Sequence, residues 1–271
     1  MDFEPRTPKE GINVSKEHPL VEATTLIVGL SFIFAMIVVA LIFMVEIALY
    51  FVPEEKEAAL FENWLPEDIL TVSPNDERLA KLETMLWRLS RHYPESAYKF
   101  RIEIDDSETM NAMALPGGLI VVTAGLLDKV ETENELAFIL GHEMGHFKNR
   151  DHMRALGRGV VISIMFATIS GSGSGVELGV SITDLALRGF SRRQEASADE
   201  FGLEIVQQEY GHVADSWRFF ERIDDDDDDE FLELLTYLST HPSPVNRVDA
   251  LIDQAGQNGW SISGDVTPID W

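Results

Sequence analysis

Two short patterns hold the residue types that can do chemistry. The first is His142-Glu143-Met144-Gly145-His146. On a helix, positions i and i+4 share a face, so both imidazoles can meet one ion at about 2.0–2.1 Å per nitrogen. Glu143 lies about 100° around the same helix. There it can take the proton of a water activated by zinc, without itself being a ligand. The water then attacks a carbonyl, and Glu143 can pass its proton to the leaving amine.

A catalytic zinc needs a third protein ligand and an open position. Residues 191–199 read Ser-Arg-Arg-Gln-Glu-Ala-Ser-Ala-Asp. Glu195 and Asp199 are i and i+4 on a predicted helix and share a face. Glu195 is expected as the third ligand. Asp199 is expected to accept a hydrogen bond from a ligand histidine's free N–H and so fix its tautomer. Ala196, Ser197 and Ala198 would let this helix pack closely against the first. His152 falls off the metal-facing side. His241 has three readings: a donor to the oxyanion, a fourth ligand that keeps the enzyme latent, or packing before a proline turn. His18, His92 and His212 are expected at the surface.

The elements that position these groups show as periodicities. Residues 77–91 carry Leu79, Leu82, Met85, Leu86 and Leu89 at helical spacing. Residues 98–104 alternate, with Tyr98, Phe100, Ile102 and Ile104 on one face, as a half-buried strand does. Residues 111–127 contain two apolar runs split by Pro116-Gly117-Gly118, which predicts a hairpin-like strand pair ending near Gly125. Thr132 and Glu135 have capping-box spacing, so a helix should start there and run to about Asn149. Another helix follows Asp151. The glycine-serine stretch at 171–175 and its apolar flanks read as two packed helices or a hinged flap. The acidic run at 224–229 reads as a solvated loop.

Residues 26–45 are apolar and uncharged, long enough to cross ~30 Å of hydrocarbon. Arg6, Lys9 and Lys16 precede this run and Lys56 follows it. By the positive-inside tendency, the N-terminus is expected in the cytoplasm and the large domain outside it. The net charge of −26 argues against nucleic acid as a partner. The chain has no cysteine, which excludes disulfides, thiolate zinc sites and cysteine nucleophiles.

HEMGH, followed by E-x-x-x-D in its Ser-Arg-x-x-Glu-Ala-x-Ala-Asp setting, resembles the membrane-associated zinc metallopeptidases that include HtpX, the CAAX prenyl endopeptidase and the BepA-like proteases. Asn111-Ala112 and Pro116-Gly117-Gly118, with the following strand, look like that family's substrate-side edge strand. His241-Pro242 and Arg247 look like its C-terminal His-Pro-x-x-x-x-Arg element. The resemblance covers about residues 75–250. It implies an α+β, mainly helical, zincin-like domain with a small β-sheet, one Zn2+ held by His142, His146 and Glu195, and Glu143 as base. With one membrane helix predicted, the single-anchor branch is expected.

The expected organisation is an N-terminal tail at 1–24, a transmembrane helix at 25–52 in the lipid bilayer and a linker at 53–75. A zinc metallopeptidase domain at 76–255 and a C-terminal tail at 256–271 follow. The expected function is a membrane-anchored zinc metalloendopeptidase acting on unfolded or damaged proteins, which would lie extended beside the strand at 119–122. The alternative is a membrane-tethered zinc-containing chaperone or binding module with latent or absent proteolysis.

Overall fold

In a computed structural model, residues 18–62, 71–170, 190–225, 241 and 247–271 are described. The chain divides into two units, Met1–Met44 and Val45–Trp271. Helix α1 (Pro19–Phe51) has 33 residues, about 50 Å at ~1.5 Å per residue. It is long and apolar enough to cross a membrane, and none of its residues is buried. It starts earlier than the apolar run alone indicates. Pro19 suits a first helical position, and the Thr24 and Thr25 hydroxyls donate to the carbonyls of Leu20 and Val21.

In the second unit, α2 (Glu54–Phe61) is followed by α3 (Leu79–Ser90), which buries Leu82, Met85, Leu86 and Leu89 as its spacing requires. Strands β1 (Arg101–Asp105), β2 (Ala112–Leu115) and β3 (Leu119–Thr123) form a sheet in the order β1-β3-β2. β2 and β3 make the expected antiparallel hairpin, pairing Leu115 with Leu119 and Ala112 with Val122. Its turn needs left-handed backbone at Gly117 (φ 82°) and Gly118 (φ 80°), which glycine adopts without steric cost. β1 joins β3 in parallel. β3 is therefore central, with a neighbour on each side. The expectation that peptide lies beside 119–122 is corrected: that strand is central, and the edge strands are β1 and β2.

β3 also stops sooner than expected. The Thr123 hydroxyl accepts the Leu126 N–H and starts α4 (Ala124–Lys129). Next comes α5 (Glu133–Lys148), capped by Thr132 and buried at every position from Asn134 to Phe147. Such a helix forms the centre of a core rather than one wall. Glu135 completes the cap by accepting the N–H of Glu131 at 3.0 Å.

After α5 the chain turns sharply at Arg150, whose φ is 55°. Left-handed backbone costs a non-glycine residue about 1–2 kcal/mol. The turn leads into α6 (Asp151–Ser170). Then α7 (Arg192–Tyr210) opens with a capping box between Ser191 and Gln194. Helices α8 (Arg218–Asp225) and α9 (Arg247–Asn258) complete the described set. Residues 267–269 hydrogen-bond back to Glu131 and Glu133 at the start of α5.

α5 and α7 pack at glycine distance. A Cβ on Gly145 would lie 2.8 Å from Ala198 Cα, and one on Gly141 would lie 3.1 Å from Gly202 Cα. Of the three small residues expected at this interface, Ala198 is buried there, whereas Ala196 and Ser197 are exposed. Gly202, one turn on, supplies the second close approach. The 171–175 segment, the apolar stretch after it, the acidic run from 226 onward and Pro242 lie outside the described residues.

Candidate metal centre

The close approach of α5 and α7 brings their polar side chains to one point inside the core. His142 Nε2 and His146 Nε2 are 3.1 Å apart. Glu195 Oε2 lies 3.5 Å from His142 Nε2, and its Oε1 lies 3.5 Å from His146 Nε2. His241 adds a fourth donor: its Nδ1 is 3.3 Å from His142 Nε2 and 3.3 Å from Glu195 Oε2. All four residues are buried, and their donor atoms lie within 4.8 Å of one another.

These separations test whether a metal fits. Ligands about 2.0–2.1 Å from a tetrahedral ion stand about 3.3–3.4 Å apart. The five separations above bracket that value. The carboxylates point the same way. Both oxygens of Glu195 and both of Glu143 are buried without a hydrogen-bond partner among the described residues. Leaving such charges uncompensated is costly, and a cation at the centre would compensate them. Three imidazole nitrogens and a carboxylate oxygen suit a borderline divalent ion.

Outer partners fix each ring. His142 Nδ1 is 2.8 Å from Asp199 Oδ1, as expected for Asp199. Arg247 grips that carboxylate from the other side, donating from Nη2 to Oδ1 at 2.6 Å and from Nε to Oδ2 at 3.1 Å. Burial alone would raise the Asp199 carboxyl, but Arg247 and His142 together hold it below the usual range. Burial likewise disfavours a charged His142, yet the hydrogen bond to Asp199 and the nearby Glu195 carboxylate push it up to about 9. His146 is held below its ordinary value, chiefly by burial. Glu195 resists burial through the imidazoles of His241 and His142, which hold it far below the usual carboxylate range.

Two neighbours of the site were not foreseen from sequence. Asp151 Oδ2 is 3.1 Å from His146 Nδ1, and its Oδ1 accepts from Gln194 Nε2 at 2.5 Å. It therefore does for His146 what Asp199 does for His142, and it ties the turn after α5 to the cap of α7. Phe190 stacks on the His146 ring with centroids 3.9 Å apart. Signals existed but were ordinary ones: an acid five residues past a ligand, and an aromatic just before a capping serine.

His241 faces two ways. While Nδ1 points into the donor group, Nε2 is 3.2 Å from the Ala112 carbonyl and 3.6 Å from Glu143 Oε1. His152 stays outside the group, as expected, and pairs with Glu57 at 2.6 Å. His18 is exposed, whereas His92 and His212 are half-buried.

Residues 74–255 match the profile of peptidase family M48. The chain belongs to peptidase family M48. Among its relatives is the mitochondrial metalloendopeptidase OMA1 of Danio rerio, 30% identical over 222 residues, which cover 73% of this chain and 45% of that protein. The metalloprotease LoiP of Escherichia coli K12 is 31% identical over 145 residues, covering 51% of this chain and 56% of LoiP. The beta-barrel assembly-enhancing protease of Yersinia pestis is 25% identical over 177 residues, covering 58% of this chain and 35% of that protein. The chain thus spans about half the length of these relatives or less. M48 peptidases depend on a metal, and the group at His142, His146, Glu195 and His241 is where these residues could hold one.

Proposed function

We propose that this M48 peptidase is a membrane-anchored zinc metalloendopeptidase for unfolded or damaged polypeptides. The convergence of four buried donors beside Glu143 carries this reading. His142, His146 and Glu195 would hold one zinc per chain, a borderline ion that favours such N/O sets in tetrahedral geometry. When bound, the ion supplies Lewis acidity that polarises a carbonyl and acidifies a water.

The chain's own groups do the rest. Glu143 takes a proton on its carboxylate and returns it to the departing amine. Asp199 and Asp151 keep the Nε2 atoms of His142 and His146 bare and aimed inward. Of the three readings of His241, its Nδ1 distances favour a fourth ligand. Its Nε2–H can donate to Ala112, and Nδ1 then turns its lone pair toward the donor group. In that place it would occupy the position that catalysis needs open. Once displaced, the ring could serve as the catalytic donor to the oxyanion.

Substrate would add to β2. The Thr123 N–H pairs inward with the Asn111 carbonyl, so by strand alternation Ala112 and Ala114 face the outer edge. Pairing of this kind recognises backbone rather than sequence, which suits unfolded chains. Helix α1 would span the bilayer, and the charges at Arg6, Lys9 and Lys16 against Lys56 would place the catalytic unit on the non-cytoplasmic side. The intact base at Glu143 argues against a tethered binding module without proteolysis.

Zinc content and casein cleavage, measured in parallel for wild type and Glu143→Gln, test the reading. About one zinc per chain in both, with cleavage in wild type alone, is expected. Absence of zinc from wild type would overturn it.

A further inference from the structure

Away from the metal group lies a second buried polar centre that the proposed reaction does not use. Glu57, on α2 just past the end of α1, is 1% exposed. Its Oε1 accepts from the Tyr98 hydroxyl at 2.7 Å and from His152 Nε2 at 2.6 Å. Its Oε2 accepts from Arg150 Nε at 3.1 Å and Nη2 at 2.7 Å. Burial opposes the ionised form, but these donors hold the carboxyl below its ordinary value.

Arg150 also reaches the last turn of α1. Its Nη1 donates to the carbonyls of Leu49 at 2.6 Å and Val52 at 2.7 Å. A helix leaves its final carbonyls unpaired, and here one guanidinium satisfies that of Leu49 and also that of Val52, the residue just past the helix. Close packing supports the same junction: a Cβ on Gly157 of α6 would overlap the Val45 side chain.

Arg150 is therefore held at both ends. Its backbone is in the left-handed region, where glycine is the usual occupant, and its side chain binds the anchor's exit. The next residue is Asp151, the partner of His146. We infer that Glu57 and Arg150 are positioning residues of the catalytic centre: they fasten the exit turn of α1 to the turn behind His146 and, through Asp151, fix the direction of its ring. This deepens the metallopeptidase reading and rests on it. The anchor's last turn becomes a working part of the catalytic unit rather than a tether.

The test uses the full chain in lipid nanodiscs, comparing wild type with Arg150→Gly and Glu57→Gln. Glycine takes positive φ freely. If the turn conformation were all that mattered, Arg150→Gly would bind metal as well as wild type. We expect it to keep its helix content, to release zinc to a competing chelator at about tenfold lower chelator concentration, and to alter the visible spectrum of cobalt(II) bound in place of zinc. Glu57→Gln, which keeps the shape of the side chain, should change both readouts in the same direction and would decide alone if Arg150→Gly did not fold. Wild-type zinc affinity and an unchanged cobalt spectrum in a folded variant would overturn the inference and leave the metallopeptidase reading intact. Failure of wild type to bind either ion would overturn both.

Discussion

His241 Nε2 lies 3.2 Å from the backbone carbonyl of Ala112, so one imidazole joins the metal group to the edge strand β2. A peptide pairing with β2 competes for that carbonyl, and losing it frees the ring. His241→Ala is expected to raise the initial rate of casein cleavage several-fold per bound zinc. A lower rate at unchanged zinc content would show instead that His241 acts on the reacting carbonyl.

Asp151 and Asp199 each accept from two donors, so an amide cannot replace them. Asp151 serves His146 and Gln194, and Asp199 serves His142 and Arg247. In Asp151→Asn or Asp199→Asn, one donor would face an NH2 group. Loss of such partners typically weakens metal binding about 10–100-fold. Chelator competition on each variant should show a loss of that size, and an unchanged affinity for Asp151→Asn would remove its assigned role.

Gly145→Ala sets two effects against each other. In a helix interior, alanine is favoured over glycine by about 1 kcal/mol. The new methyl, however, would stand 2.8 Å from Ala198 Cα, and overpacking costs about 1–3 kcal/mol. Backbone has to move, and it carries His142, His146 and Glu195 with it. A lower melting temperature together with weaker zinc retention is expected. Calorimetry and metal analysis on one sample would separate this from a purely local adjustment.

The Glu57 carboxyl is depressed in the folded chain. A depressed acid stabilises the fold above its unfolded pKa, near 4.3, and that stability is lost as pH falls through the folded value. The melting temperature of wild type should therefore drop steeply below about pH 4–5. Glu57→Gln should melt lower at neutral pH and show a shallower acid limb. Parallel limbs would mean that Glu57 carries none of the acid sensitivity.

The parts of this site that were legible in the sequence are those written in helical spacing. His142 and His146, like Glu195 and Asp199, are four apart on single helices, and periodicity alone puts each pair on one face. Asp151 depends instead on a tight turn that folds the chain back under α5. A glycine would have advertised that turn, but arginine occupies it. The hairpin was readable from its two glycines, whereas the strand order was not, because β1 joins β3 across an intervening strand and alternation says nothing of neighbours. Glu57 sits in the stretch that reads only as a linker, and its burial follows from contacts with residues up to 95 positions away. His241 shows the same limit: its neighbours on the page are Thr240 and Pro242, and its partners in space are His142, Glu195 and Ala112.

The grip of Arg150 on Leu49 and Val52 also constrains the length of the membrane helix. One residue inserted into its last turn would rotate everything upstream by about 100° and shift it ~1.5 Å along the axis. It would also carry the gripped carbonyls out of reach. A span gripped at its exit turn can adapt to a thicker or thinner bilayer only upstream of the grip, so chimeras that exchange the whole helix should work only when the final turn is kept in phase.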